Sequence, residues 1–198
     1  TAQVFNLYPA LNGTYTIGGS TPDYATFSDA VLALERGGVL GNVVFDVRNG
    51  TYNEQIEITE ITGVSAAATI TFQSEVGDST SVILTYDANS TDRHTLYLNG
   101  ADWLRFQKIS IIGTNASYAN AIKIENEASN NDFFNNVIES ETAKKCFDFL
   151  ASSALFRDKQ QIVNIMSGFF FQQNISPLPL THEFAHLLMI SKNSKIKN

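Results

Sequence analysis

The most explicit chemical spacing in the chain is His182-Glu183-Phe184-Ala185-His186. On a helix, two histidines four positions apart face one way and can hold zinc, while the glutamate between them can activate a metal-bound water. Thr181 can cap that helix, and Leu187, Leu188 and Met189 give it an apolar side. A catalytic zinc site needs three protein ligands, and no histidine follows His186 to supply the third. A zinc peptidase using His182 and His186, with Glu183 as base, is therefore the weaker reading. A surface helix with two unliganded imidazoles is the stronger one. Asp87, Asp92 and Asp102 are a second set of candidates, because clustered carboxylates bind calcium and a nearby basic residue can then abstract a proton. All three stand at turns, where aspartate is ordinarily a turn former. Trp103 and Tyr97 form a third set: each is placed to point outward, and an aromatic face stacks well on the C–H face of a sugar ring. The competing reading is that both cover a seam beneath a loop.

The elements that must position these side chains are mostly strands. The chain has 198 residues, 43% hydrophobic and 17% charged, with a net charge of −7. It is long enough for one sizeable core, and too apolar for wholesale disorder. Asn, Thr, Ser and Gly replace the missing charges, as suits short strands joined by many turns. The acidic balance argues against nucleic acid as a partner, because no concentrated Lys or Arg is present to release counterions. No apolar run approaches the roughly 20 residues of a membrane span. With Cys146 as the sole cysteine, no internal disulfide forms.

One amphipathic helix stands out near the start. Thr26 or Ser28 caps it, Phe27, Ala30, Val31 and Leu34 line one face, and Gly37-Gly38 ends it. Asn12-Gly13 reads as a turn just before a β-prone piece, Tyr15-Thr16-Ile17. After the helix, apolar positions alternate in Val43–Val47, Ile56–Ile58, Ile70–Phe72, Val82–Tyr86, Leu96–Leu98, Leu104–Ile111, Ala121–Ile124 and Phe133–Ile138. These runs start about 8 to 17 residues apart, two or so to a coil of solenoid size. The inward set is expected to be Val43, Phe45, Ile56, Ile58, Ile70, Phe72, Leu84, Leu96, Leu98, Leu104, Phe106, Ile109, Ile111, Ile122, Ile124 and Phe133. The slip in parity between Phe106 and Ile109 marks a corner between two sheets. Asn130-Asn131 and Asn135-Asn136 flank a pair of phenylalanines; asparagine tolerates the left-handed conformation of a tight corner, and stacked asparagines can bond to one another.

Tyr24-Ala25-Thr26-Phe27-Ser28-Asp29-Ala30-Val31, Gly41-Asn42-Val43-Val44-Phe45-Asp46-Val47 and Gly50-Thr51-Tyr52-Asn53-Glu54-Gln55-Ile56 resemble the start of pectin-lyase-like proteins. Ile70-Thr71-Phe72-Gln73-Ser74 and the stretch from Leu96 to Phe106 look like repeats of large secreted bacterial surface proteins of that superfamily. The resemblance spans roughly residues 15 to 138. It implies a mainly β fold, a right-handed parallel β-helix whose open N-terminal end is capped by the amphipathic helix. It also implies a secreted or cell-surface setting and polysaccharide or surface glycans as partners. Activity does not follow from it. Arg93-His94-Thr95-Leu96-Tyr97 resembles the pectinesterase stretch Gln-Asp-Thr-Leu-Tyr, but His94 stands at the catalytic carboxylate and Arg93 at the glutamine. Of the family's second motif, Asp-Phe-Ile-Phe-Gly, Asp148-Phe149-Leu150 is a distant echo.

Residues 1–140 thus read as cap and first coils, and residues 141–198 as a tail of different character. Helices are expected over Glu141–Phe156 and Gln160–Met166, either as a native cap or as a foreign or frame-shifted replacement for further coils. Lys192, Lys195 and Lys197 close the tail as a solvated basic end. The leading functional reading is a non-catalytic β-helical module, a stalk or adhesive surface that binds glycans or protein, with no cofactor. The alternatives are a fragment of a carbohydrate-active enzyme whose catalytic coils lie elsewhere, with calcium as its cofactor, and the zinc peptidase.

Overall fold

Alternation of apolar and polar residues leaves each short run with one face to bury, and stacking on the next coil is how these runs do it. The computed structural model describes residues 8–141 and 147–149. The chain opens with β1 (Leu11–Ile17), α1 (Phe27–Gly37), β2 (Val39–Val47), β3 (Gly50–Asn53) and β4 (Ile56–Ile58). The next coil is β5 (Ile70–Ser74), β6 (Val82–Asp87) and β7 (His94–Asn99). A third is β8 (Leu104–Gln107), β9 (Ser110–Thr114) and β10 (Asn120–Glu125), and the fourth is β11 (Asp132–Phe134), β12 (Val137–Ser140) and β13 (Phe147–Phe149). The first sheet runs β1-β2-β5-β8-β11, the second β3-β6-β9-β12 and the third β4-β7-β10-β13. Their pairings are parallel throughout. The protein is a parallel β-helix.

Coils therefore carry three strands, where the spacing of apolar runs predicted about two. The corner expected between Phe106 and Ile109 falls at Lys108 (φ 54°), dividing Leu104–Ile111 into β8 and β9, and Phe133–Ile138, read as one run, is likewise two strands, bent at Asn135 (φ 54°). Past these bends Ile109 and Ile138 are buried. Every residue of the expected inward set is buried. Asn12-Gly13, expected to form a turn, instead lies inside β1, where the register with β2 shifts between Leu11 and Gly13. A bulge absorbs the left-handed glycine without ending the strand.

The interior of the first sheet is an aromatic column. Tyr15, Phe45, Phe72, Phe106 and Phe133 hold matching register positions on five successive strands. Ring centroids are 4.8 Å apart for Phe45–Phe72 and 5.3 Å for both Phe72–Phe106 and Phe106–Phe133. Such spacing follows directly from strands about 4.8 Å apart.

At the corners, asparagine pairs divide two tasks. Asn130 and Asn135 take positive φ, while the residues that follow reach across to the preceding coil. Buried Asn131 accepts from the Leu104 amide at 2.9 Å and donates to the Ala101 carbonyl at 2.8 Å. Asn136 likewise accepts from Ile109 at 2.9 Å and donates to Phe106 O at 2.7 Å. These side chains replace backbone rungs where strands diverge, since a buried amide or carbonyl must be paired. The expected asparagine-on-asparagine contact forms at another corner, where Asn126 donates to Asn99.

Helix α1 covers the N-terminal end. Thr26 caps it by accepting from Asp29 N at 3.0 Å, and Phe27, Ala30, Val31 and Leu34 are buried as the periodicity predicted. A second cap comes from a distance: Glu54 accepts from the amides of Phe27 (3.2 Å) and Ser28 (2.9 Å) and from the Ser28 hydroxyl (2.6 Å). A carboxylate there meets the positive end of the helix dipole. Tyr52, two residues earlier, packs its ring edge-on to Phe27 at 5.1 Å and donates to Arg48 O at 2.8 Å. The Gly-Thr-Tyr-x-Glu segment is thus the latch that holds the helix on the coil.

Residues 147–149 form β13 in parallel register with β10, Ile122 facing Phe147 and Ile124 facing Phe149. The helix expected across Glu141–Phe156 is replaced there by a strand. Phe147-Asp148-Phe149 repeats the apolar–polar–apolar pattern of Ile122-Lys123-Ile124, and coil stacking outweighs local helical spacing. The expected helix Gln160–Met166 and the His182-Glu183-x-x-His186 pattern lie outside the described residues.

Candidate functional site

Three tripeptides build the outer face of the third sheet: Ile56-Glu57-Ile58, Leu96-Tyr97-Leu98 and Ile122-Lys123-Ile124. In each, the flanking aliphatics are buried, which turns the central residue outward. Register stacks Glu57 on Tyr97 and Tyr97 on Lys123. A second column pairs Asn99 with Glu125.

The two columns are tied diagonally. Tyr97 donates its hydroxyl to Glu125 Oε2 at 2.7 Å, and Lys123 Nζ lies 2.6 Å from the same oxygen. The Lys123 ammonium also stands 4.3 Å from the Tyr97 ring centre, a cation–π contact. Asn99 donates to Glu57 Oε1 at 2.6 Å and accepts from Asn126. At the start of β7 the His94 imidazole meets the Tyr97 ring edge-on at 4.9 Å, and Gln55 holds the His94 carbonyl at 2.8 Å.

Charge states follow from these contacts. Burial pushes the Tyr97 phenol well above its ordinary value, and donation to the Glu125 carboxylate pushes the same way. Burial works against the Glu125 carboxylate, but hydrogen bonds from Lys123 and Tyr97 outweigh it and hold its pKa below the usual range. His94 is held below the ordinary imidazole value by burial first and the Lys123 ammonium second, against the pull of Glu57, Asp92 and Glu125. Near neutral pH the face therefore carries a protonated phenol, a fixed carboxylate and a neutral imidazole. That set offers donors and acceptors to hydroxyl groups.

Solved structures resemble the chain, two of them at similar coverage. Both are crystal structures of the pectin methylesterase from Aspergillus niger, one deglycosylated and one penultimately deglycosylated. They share 23% and 24% identity with it at a TM-score of 0.46. The matches cover 64% and 63% of this chain but only 43% and 42% of the esterase. No family model matches the chain, and no curated protein matches it either. The fold assignment rests on the strand registers described above.

Of the residues singled out from sequence, Tyr97 lies at the centre of this face. Trp103 stands apart, in the turn between β7 and β8 with φ 59°, its amide donating to Ser129 O at 3.3 Å. Among the described residues, ring and cation contacts join Tyr97 to His94 and Lys123 and do not join it to Trp103. Asp102 accepts from the Ser129 amide at 2.5 Å and hydroxyl at 2.8 Å, bridging two coils. Asp92 closes a local turn with Asn89 and Thr91, and Asp87 is exposed at the end of β6. Among the described residues no cluster of three His, Cys, Asp or Glu side chains is placed to hold a metal ion. Glu57, Lys123 and Glu125 were missed from sequence. For Glu57 and Lys123 the signal was the middle position of an aliphatic–x–aliphatic tripeptide, and for Glu125 the same outward parity two places after Lys123; these become columns only once coil length is known.

Proposed function

We propose that the outer face of the third sheet is a carbohydrate-binding surface of a non-catalytic β-helical module. The observation that carries this reading is the Glu57–Tyr97–Lys123 column, flanked by His94, Asn99 and Glu125. An aromatic ring, an imidazole and a run of hydroxyl-pairing groups lie along the coil axis at strand spacing, matching an extended glycan with an apolar ring face and polar rim. The setting proposed with it is the cell exterior, on the strength of the sequence resemblance; among the described residues no helix is long and apolar enough to cross a membrane. Isothermal titration against a panel of soluble polysaccharides tests it. Binding to at least one glycan, abolished in Tyr97→Ala with the fold intact by circular dichroism, is the expected result. A full panel without binding would reject it.

One observation favours a carbohydrate-active enzyme instead. His94 is a half-buried, neutral imidazole beside Tyr97, at the position where the pectinesterase-like stretch has its carboxylate. A base of that kind could activate water. Release of acid or of reducing ends from ester-bearing or unsubstituted polysaccharides, lost in His94→Ala, would move the assignment to that class.

A further inference from the structure

We infer that this face selects uncharged glycans over uronate- or sulfate-bearing ones. The inference rests on the carbohydrate-binding reading and specifies its ligand class. Recognition of an anionic sugar needs cationic donors free to meet it, most effectively an arginine fork or an ammonium. Among the described residues, Lys123 and Arg93, the cations on and beside this face, each make contacts within the protein. Lys123 is spent on Glu125 and the Tyr97 ring. Arg93, next to His94, donates to Ser90 O at 3.1 Å and lies 5.5 Å from the Tyr118 ring centre. His94 adds no charge at neutral pH. The carboxylates are not matched one for one: Lys123 offsets Glu125, while among the described residues exposed Glu57 bonds only to the neutral Asn99 amide. Among the described residues the carboxylates at this face, Glu57, Asp92 and Glu125, outnumber the cations Lys123 and Arg93, in a chain of net charge −7. An anionic polymer would bring like charge to this face, whereas the amides of Asn99 and Asn126 and the carboxylate of Glu57 suit hydroxyl groups.

Affinity electrophoresis of the full chain tests this, with gels containing neutral polymers (galactan, arabinan, xyloglucan, hydroxyethylcellulose) or acidic ones (polygalacturonate, alginate, carboxymethylcellulose). Hydroxyethylcellulose and carboxymethylcellulose share a backbone and differ in charge. Expected is retardation by at least one neutral polymer, with affinity for acidic polymers weaker by about tenfold or more at low salt and the gap narrowing as salt screens it. Glu57→Gln keeps an acceptor for Asn99 while removing the charge, and should narrow the gap between neutral and acidic polymers severalfold. Equal or stronger retardation by acidic polymers would overturn the selectivity and leave the binding reading standing. Selectivity unchanged in Glu57→Gln would overturn the electrostatic cause given for it. Retardation by no polymer would overturn both.

Discussion

Replacing Phe106 with alanine removes an inner ring of the aromatic column. Its side chain is 1% exposed and stacks at 5.3 Å on Phe72 below and Phe133 above, nearly parallel to both at 7° and 10°. Burial of a phenylalanine side chain contributes about 1.5–3 kcal/mol. Two ring pairs add roughly 0.5–1.5 kcal/mol each. Strands on both sides are fixed by their backbone ladders and close poorly over the gap, so the loss should fall at about 3–5 kcal/mol. A typical domain has only about 5–15 kcal/mol in total. Phe106→Leu keeps most of the apolar volume and should cost about half as much, the difference isolating the cavity. Urea unfolding followed by fluorescence reads both, since Trp103 is the only tryptophan and sits at the corner leading into β8. An alanine cost below about 1 kcal/mol, or equal costs for alanine and leucine, would refute the claim that the rings form one packed column.

Removing the distant helix cap with Glu54→Ala should lower stability by about 1–2 kcal/mol and speed amide exchange in the first turn of α1, as measured by hydrogen-exchange mass spectrometry. Asn131→Ala leaves Leu104 N and Ala101 O unpaired at a buried corner, so a loss of about 2–4 kcal/mol in the same urea assay is expected, against about 1 kcal/mol for Asn135→Ala, whose side chain is exposed but whose φ of 54° disfavours alanine. His94 has its pKa below the ordinary 6.5, so the unfolded chain takes up this proton first; the contribution is intact above 6.5 and declines as pH falls through the window beneath it. His94→Gln should therefore flatten the fall in urea midpoint between about pH 7 and about pH 5, and an unchanged slope would count against the burial-driven shift. After dialysis the full chain is expected to retain no stoichiometric zinc, with His186→Ala as the control; one zinc per chain, lost in that variant, would revive the peptidase reading.

Which residues face inward was legible because that depends only on alternation within a few positions, as in Leu96-Tyr97-Leu98. The same holds for α1, where Thr26 and the Phe27-to-Leu34 stripe are local. The site was less legible because its partners meet through coil closure. Asn131 reaches back 27 residues to Leu104, whereas Asn99 reaches back 42 to Glu57, although each contact crosses one coil. Loops of unequal length make the step irregular, so no fixed period brings Glu57, Tyr97 and Lys123 into line. Glu54 escaped for the same reason: its partners on α1 are 27 and 26 residues upstream. At Phe147-Asp148-Phe149 a three-residue pattern competed with longer helical spacing, and only the waiting edge of β10 decides between them.

The latch of Glu54 and Tyr52 on α1 also gives the molecule a direction of growth. Strand edges recruit strands, and a parallel solenoid with two bare ends could stack head to tail into a filament without limit. Here α1 packs on β4 and, through Phe27 on Tyr52, against β3, the N-terminal edge strands of two of the three sheets. End-to-end polymerisation needs both ends of every copy, so occluding one converts an open-ended assembly into at most a closed pair. Loosening the latch should thus release self-association as well as stability.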